Sequence, residues 1–576
     1  MSKQRLSFER AARVSAFAIL LGLSLTSKAA PTLDTSFGTN GIVEHPVAGN
    51  SGVAAGTLAL RDGTLFAGGY TTHPYKGGIR AFGPSVAERY NGNGSINPTP
   101  IPPIGYAMLV QRDGKWVGVT QTGLTRFYSD GSPELGYILD GAAGIPWFAN
   151  MIVGGVAEQA DGKIVVAGNA FQNVVLLRFN RNGSLDTTFN NVGALIVPRG
   201  NTDVDYSENG LVVQPDGKLV VATSNFVGVS SKLEFTAIRV NPNGTMDATF
   251  GVNGKSVIAF DDTFQDYART ILLQPNGRLI VAGSRGDTIQ MVGFRADNGA
   301  LDETFGTAGV VRIATIDDES TLNPHHVIVQ PDGKLLMSAT TDMLGSNGRL
   351  MRLSVDGSPD NSFGTAGTFT SAQLPHIEAI ALQPDGDLFL GGTSPGSNFA
   401  VGRFTSGPSA AIEYYNAPLN HYFMSMSPQE VADLDLGVYS GWARTGLSFL
   451  TYGSAASAVG TSANPVCRFY IPPQHGDSHF FSADPVECAI ARDKMHTDPN
   501  FSGYVEETPN AFYIDLPDKD TGTCPANTAP VYRLWNQGVA SNHRYTTSVV
   551  VKNQMIASGW VAEGYGPDQV DMCAPQ

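Results

Sequence analysis

From about residue 53 to residue 405 the apolar positions come in short runs, each cut by a polar turn. Val213-Gln214-Pro215-Asp216-Gly217-Lys218-Leu219-Val220-Val221 is the clearest copy. Two apolar runs flanking Pro-Asp-Gly predict a β-hairpin, with Pro and Asp as the central residues of a type I turn and Gly in the left-handed position after it. The same Asp-Gly or Asn-Gly step recurs at Asp62-Gly63, Asp113-Gly114, Asp161-Gly162, Asn276-Gly277, Asp332-Gly333 and Asp385-Gly386, spaced 48 to 60 residues apart. Runs such as Leu279-Ile280-Val281-Ala282-Gly283 have ordinary strand length.

A second motif alternates with the first. Asn182-Gly183-Ser184-Leu185-Asp186-Thr187-Thr188-Phe189 returns at 243–251, 298–306 and 356–364. A third strand precedes each copy and a fourth follows it, so each period predicts four strands, the content of a propeller blade. The copies near Asn93-Gly94-Ser95 and Asp130-Gly131-Ser132 are degenerate. At the start the order is offset: Leu33-Asp34-Thr35-Ser36-Phe37-Gly38 stands alone, and the run Phe399–Phe404 has no such motif after it. The sequence therefore predicts a seven-bladed β-propeller closed by the N-terminal strand, which hides both edges. These residues resemble the delta-60 repeat, a bacterial propeller-forming repeat of unassigned activity, over about 33–404. The resemblance implies a fold and an exported habitat, and no reaction.

Past residue 406 the pattern changes. Residues 407–411 read as a linker, and 412–576 carry three weaker repeats. Each opens with aromatic-rich strand residues, continues through Asn420-His421-Tyr422, Ser478-His479-Phe480 or Asn542-His543-Arg544, and ends on Ser440-Gly441-Trp442, Ser502-Gly503-Tyr504 or Ser558-Gly559-Trp560. A helix-like piece lies between. The expectation is a small α+β domain of pseudo-threefold form. It is similar to a three-repeat module of unknown function found at the C-terminus of exported bacterial proteins.

Composition narrows the function classes. Of 576 residues 15% are charged, with 66 glycines and 34 prolines, which suits short strands and tight turns. A net charge of −15 speaks against nucleic acid and anionic membrane as partners. Residues 1–29, basic through Lys3, Arg5, Arg10 and Arg13 and then apolar from Val14 to Leu25, read as a signal peptide, so the expected location is secreted, periplasmic or cell-surface-associated, without membrane insertion. The four cysteines all fall near the C-terminus; Cys467–Cys488 and Cys524–Cys573 are the favoured disulfides because each closes a local loop, among three possible pairings.

Candidate chemistry is sparse. Asp in each Pro-Asp-Gly turn is what the turn needs, and calcium is not required to explain it. Acidic loops containing Asp203 and Asp205, then Asp261, Asp262 and Asp266, then Asp317, Asp318 and Glu319 are predicted to share a face that attracts divalent cations such as calcium. His421, His479 and His543 occupy one place in three repeats and can either bind a metal together or fix their repeats by hydrogen bonds. Trp442, Tyr504 and Trp560 are candidates for stacking on sugar rings, set against a core role. No nucleophile elbow, phosphate loop or zinc-protease helix is present. The reading is an exported, non-enzymatic binding protein, the propeller as scaffold and the module contacting glycans or a cell-surface component. The alternatives are a hydrolase or oxidoreductase with its site in the central channel, and a calcium-stabilised surface protein. Carboxylates and histidines converging on the channel would favour the enzyme; small apolar and amide groups would favour binding.

Overall fold

The computed structural model describes residues 30–45, 53–61, 64–71, 86–91, 93–96, 107–120, 123–135, 137, 151–170, 173–198, 210–226, 233–260, 265–285, 288–314, 324–339, 348–396, 398–538 and 541–576. The expected signal peptide, the turn at Asp62-Gly63, and Asp203, Asp205, Asp261, Asp262, Asp317, Asp318 and Glu319 lie outside them.

The protein is mainly β. Successive antiparallel meanders make the sheets; the third runs Ile152–Glu158, Ile164–Ala170, Asn173–Phe179 and Ala194–Pro198 in spatial order. The fourth, fifth and sixth repeat that four-stranded plan, and the first and second show three strands each among the described residues. The turn chemistry is as the sequence predicts. In the fourth sheet the Gly217 amide donates to Gln214 O, Gln214 N donates to Lys218 O, and Gly217 has φ 79°. Asp216 accepts from the Lys218 amide at 3.1 Å, so its carboxylate serves the turn. Second strands such as Ile164–Ala170 are buried at every position because sheets pack on both faces, which is why they read as continuous apolar runs.

Neighbouring sheets share cores. Val165, Leu176 and Phe189 of the third pack with Leu219 and Ile238 of the fourth, and Leu336 and Leu350 of the sixth with Ile380 and Leu390 of the seventh. Phe389 and Val401 of the seventh sheet pack with Leu65 and Tyr90 of the first. The seventh sheet consists of His376–Leu382, Leu388–Thr393 and Phe399–Thr405, and its last strand pairs with Thr32–Leu33 and Ile42–His45.

A repeated ion pair fastens the Leu-Asp motifs of the third, fourth and sixth sheets. Arg178 Nε donates to Asp186 at 2.7 Å, Arg239 to Asp247 at 2.8 Å and Arg352 to Asp360 at 2.8 Å. Each guanidinium also covers a motif phenylalanine, Phe189, Phe250 or Phe363. The residue after that phenylalanine, or the one in its place, donates to the next sheet: Asn190 N to Asn243 O, Gly251 N to Asn298 O, Gly306 N to Asp356 O, and Gly38 N to Asn93 O.

The C-terminal domain has three units of one plan, each with its first strand central in the sheet. They are built on Ser409–Asn416, Cys467–Ile471 and Thr528–Trp535, with helices α1 (Pro428–Asp435), α2 (Pro485–Thr497) and α3 (Val549–Ala557). One core joins them, including Met424 and Phe449, Phe481 and Ile514, and Tyr545 and Met572. Both disulfides have the favoured pairing, Cys467–Cys488 and Cys524–Cys573; such bonds belong in an oxidising compartment. The expected linker 407–411 needs correction. Ser409, Ala410 and Ala411 are paired with Thr451, Leu450 and Phe449, so the domain's first strand begins two residues after Gly407.

Part-buried Glu–Arg pairs stitch the units together. Glu430 of α1 takes both terminal nitrogens of Arg468, and Glu487 of α2 takes both of Arg533. At the third junction the charges are exchanged: Glu413 of the first unit receives Arg544 of the third. No helix of the described residues is long and apolar enough to cross a membrane.

Candidate binding site

The Gln-Pro-Asp-Gly turns of several sheets open on one end of the propeller, where helix α1 lies across them. Between them is a cavity of about 1030 Å³. Its propeller wall is the ends of the first strands, with Leu109, Val156, Leu211, Leu272 and Val327. The opposite wall includes Val431 and Leu434 of α1, Tyr414 and Trp442.

The sequence of α1 explains its placement. Ser427 caps the helix by accepting from Glu430 N, Pro428 fills the first turn, and Gly437 (φ 71°) follows its end. Val431 and Leu434 sit one turn apart and pack on Ala410, Ile412 and Tyr414. Two polar clamps hold the helix on the propeller. Arg112 of the second sheet's turn donates to Asp433 at 2.8 Å, and its amide donates to Glu158 at 2.9 Å. Arg444 reaches Pro331 O at 2.8 Å while pairing with Asp435, which also accepts from the Tyr414 hydroxyl at 2.9 Å. Burial pushes the Glu158 carboxyl above its ordinary value despite the Arg112 amide and charge.

A third contact comes from the seventh sheet. Its turn reads Asp385-Gly386-Asp387, with Asp where four other copies have Lys and one has Arg. Asp387 accepts from Ser454 Oγ at 2.6 Å and from Ser406 N at 3.0 Å, and Asp385 O lies directly under Gly453, where no side chain fits. Burial first, then the Asp385 charge, pushes Asp387 up to about 7.

The amides of the turns are also structural. Gln159 Nε2 donates to Gly217 O at 3.4 Å, and Gln274 Nε2 to Gly333 O at 2.7 Å, each tying one sheet's turn to the next. The recurring Gln was visible in the sequence, but its cross-sheet reach was not.

The predicted site residues separate. Trp442 lines the cavity and meets Phe423 edge-on at 5.9 Å. Tyr504 packs on His475 and Phe501, and Trp560 on Tyr422, so the three aromatics serve different surroundings. His421 Nδ1 lies 3.1 Å from Asp477 O of the second unit. His479 sits against Phe423 of the first unit and 3.3 Å from Glu507. His543 is buried beside Phe480, and burial with the Arg533 charge drives it down to about 3. Two of the three rings thus pack on an aromatic of the preceding unit. Among the described residues no three His, Cys, Asp or Glu side chains are grouped to hold a metal. Asp266, expected on an acidic loop, is instead the buried first residue of a strand, 2.7 Å from Arg285; burial of a carboxylate demands such a partner.

Repeated four-stranded meanders with shared inter-sheet cores define a β-propeller protein. A family model described as a β-propeller domain of unknown function (DUF5122) matches residues 159–189, 214–250 and 330–363. Comparison with curated proteins found no match. Among solved structures, virginiamycin B lyase from Staphylococcus aureus is similar at TM-score 0.39 and 10% identity, over 63% of this chain and 98% of that one. PorZ, a surface component of the type-IX secretion system of Porphyromonas gingivalis, has TM-score 0.36 and 13% identity over 76% and 60%. A gluconolactonase from Xanthomonas campestris has TM-score 0.31 and 13% identity over 52% and 87%. At these values the likenesses bear on neither ligand nor reaction.

Proposed function

We propose that this is an exported, non-enzymatic binding protein: a closed ring of seven delta-60-like blades whose channel mouth, covered by the C-terminal domain, holds the ligand. The observation that carries the reading is the 1030 Å³ cavity, walled by aliphatic strand ends with glutamine amides and charged side chains among them. That is the usual make-up of a small-ligand pocket. Closure is supported by the N-terminal motif, which pairs with the seventh sheet and donates from Gly38 to Asn93 of the first, the step seen between sheets elsewhere. Export is supported by the two disulfides together with the signal-like residues 1–29. Glycan recognition narrows to Trp442, the repeated aromatic that faces the cavity.

The test is a thermal-shift screen of the intact protein against sugars and amphiphiles, repeated on Ala432→Trp. Ala432 lines the cavity from α1 and is exposed, so the indole fills space without disturbing a core. A ligand that stabilises the parent and loses its effect in the variant supports the reading; ligands that act equally on both contradict it.

A further inference from the structure

Resting on that reading, we propose that the cavity takes an elongated apolar molecule with an uncharged or cationic head, and rejects anionic amphiphiles. The site exists only when the two domains are docked, because its walls come from both. Five propeller first strands supply aliphatic ends, and α1 with Trp442 supplies the cover. Along the strand ends such walls offer dispersion and release of water to an alkyl chain.

Charge decides the head group. Glu158, Asp216, Asp297, Asp433 and Asp435 line the cavity, against Arg112 and Arg444. Both guanidiniums are already engaged, Arg112 by Asp433 and Arg444 by Asp435 at 2.7 Å. Asp216 and Asp297 are drawn outward to Lys218 and Arg295. Among the described residues Glu158 takes the Arg112 and Gln111 hydrogen bonds and a 3.7 Å approach of the Arg112 guanidinium. A negative head would meet this excess of carboxylate with no uncommitted cation among the lining residues. A quaternary ammonium would find Glu158 and the half-buried ring of Trp442.

The experiment is isothermal titration calorimetry on the intact protein with decyltrimethylammonium, decyl maltoside and decyl sulfate, each below its micelle-forming concentration. The expected result is one saturable site for the ammonium and the maltoside, at least about tenfold tighter than for the sulfate. Ala432→Trp should weaken both by about tenfold, and so should Ala443→Trp, a second exposed cavity position on another element. Sulfate binding as tight as ammonium overturns the charge assignment, and binding unaffected in both variants overturns the location. A sugar that binds in a manner sensitive to both variants, with no alkyl compound bound, overturns the apolar class and leaves the binding reading standing. No ligand of either kind overturns both.

Discussion

Asp34 accepts a hydrogen bond from Nε of Arg403 at 2.7 Å, joining residues 369 positions apart. The Asp34 amide also donates to Arg403 O, and the Arg403 guanidinium covers Phe37, as Arg178 covers Phe189 within one sheet. The first motif of the folded chain thus occupies the place of the one missing after the last strand. Asp34→Asn leaves Arg403 with a neutral partner, and the expected loss is about 1.5–3 kcal/mol, as for a hydrogen bond to a charged group. Urea titration of the variant measures it.

Acid should expose the same pairs. Burial pushes Asp247 up, but the Thr249 hydrogen bonds and Arg239 outweigh it and hold the carboxyl at about 2. The unfolded chain titrates near 3.9 and so binds more protons between those values. This stability is complete above about pH 4 and is lost as pH falls towards about 2. Denaturant midpoints measured from pH 6 down to pH 2 should fall steeply only in that window.

The fifth sheet departs from the repeat in an informative way. Gly293 stands where the others have Arg, and a Cβ there would lie 2.8 Å from Phe305 Cβ. The guanidinium comes instead from the neighbouring strand: Arg278 donates to Asp302 at 2.6 Å, Thr304 at 2.7 Å and Val355 O at 2.7 Å, and covers Phe305. In the third, fourth and sixth sheets that position is lysine and only supplements an arginine, as Lys163 does at Asp186. Arg278→Lys should therefore cost about 1–3 kcal/mol, because one ammonium cannot satisfy the acceptors of a fork. Hydrogen exchange should place the loosening in residues 278–314.

Asp387 should titrate in the opposite sense. Its folded value near 7 lies above the unfolded one, so its contribution is full below about pH 4 and is lost as pH rises towards 7. Asp387→Asn keeps the shape and can still meet Ser454 and Ser406. The variant is expected to melt higher than the parent at pH 8, with the difference shrinking as pH falls to 4.5, by scanning calorimetry.

Removing Cys467–Cys488 by paired alanines should cost about 3 kcal/mol, and removing Cys524–Cys573, which closes the longer loop, about 4 kcal/mol. Melting of the two paired-alanine variants beside the parent checks the order.

Much of this was legible in residue types. Pro-Asp-Gly and Asn-Gly turns, strand lengths and local disulfides follow from backbone preference and loop closure, which act over a few residues. The Arg–Asp pairs left a trace as well, since Arg178 and Asp186, Arg239 and Asp247, and Arg352 and Asp360 all stand eight apart. The cavity left none. Its walls are strand ends indistinguishable from core residues, and its cover is a helix whose docking depends on Arg112–Asp433, 321 residues apart. Asp387 was a visible break in a lysine series, yet only the docked Ser454 gives it meaning.

The proposed closure of the propeller by its N-terminal strand is open to a direct chemical test. Thr32 pairs with Thr405 across the two strands, their hydroxyl oxygens 2.6 Å apart. Paired strands bring Cα atoms within disulfide range, and the four native cysteines are already bonded. In the Thr32→Cys/Thr405→Cys protein, mass spectrometry without reductant should find the peptides containing positions 32 and 405 joined, with no free thiol. Two free thiols under oxidising conditions, in a protein that melts like the parent, would contradict the account.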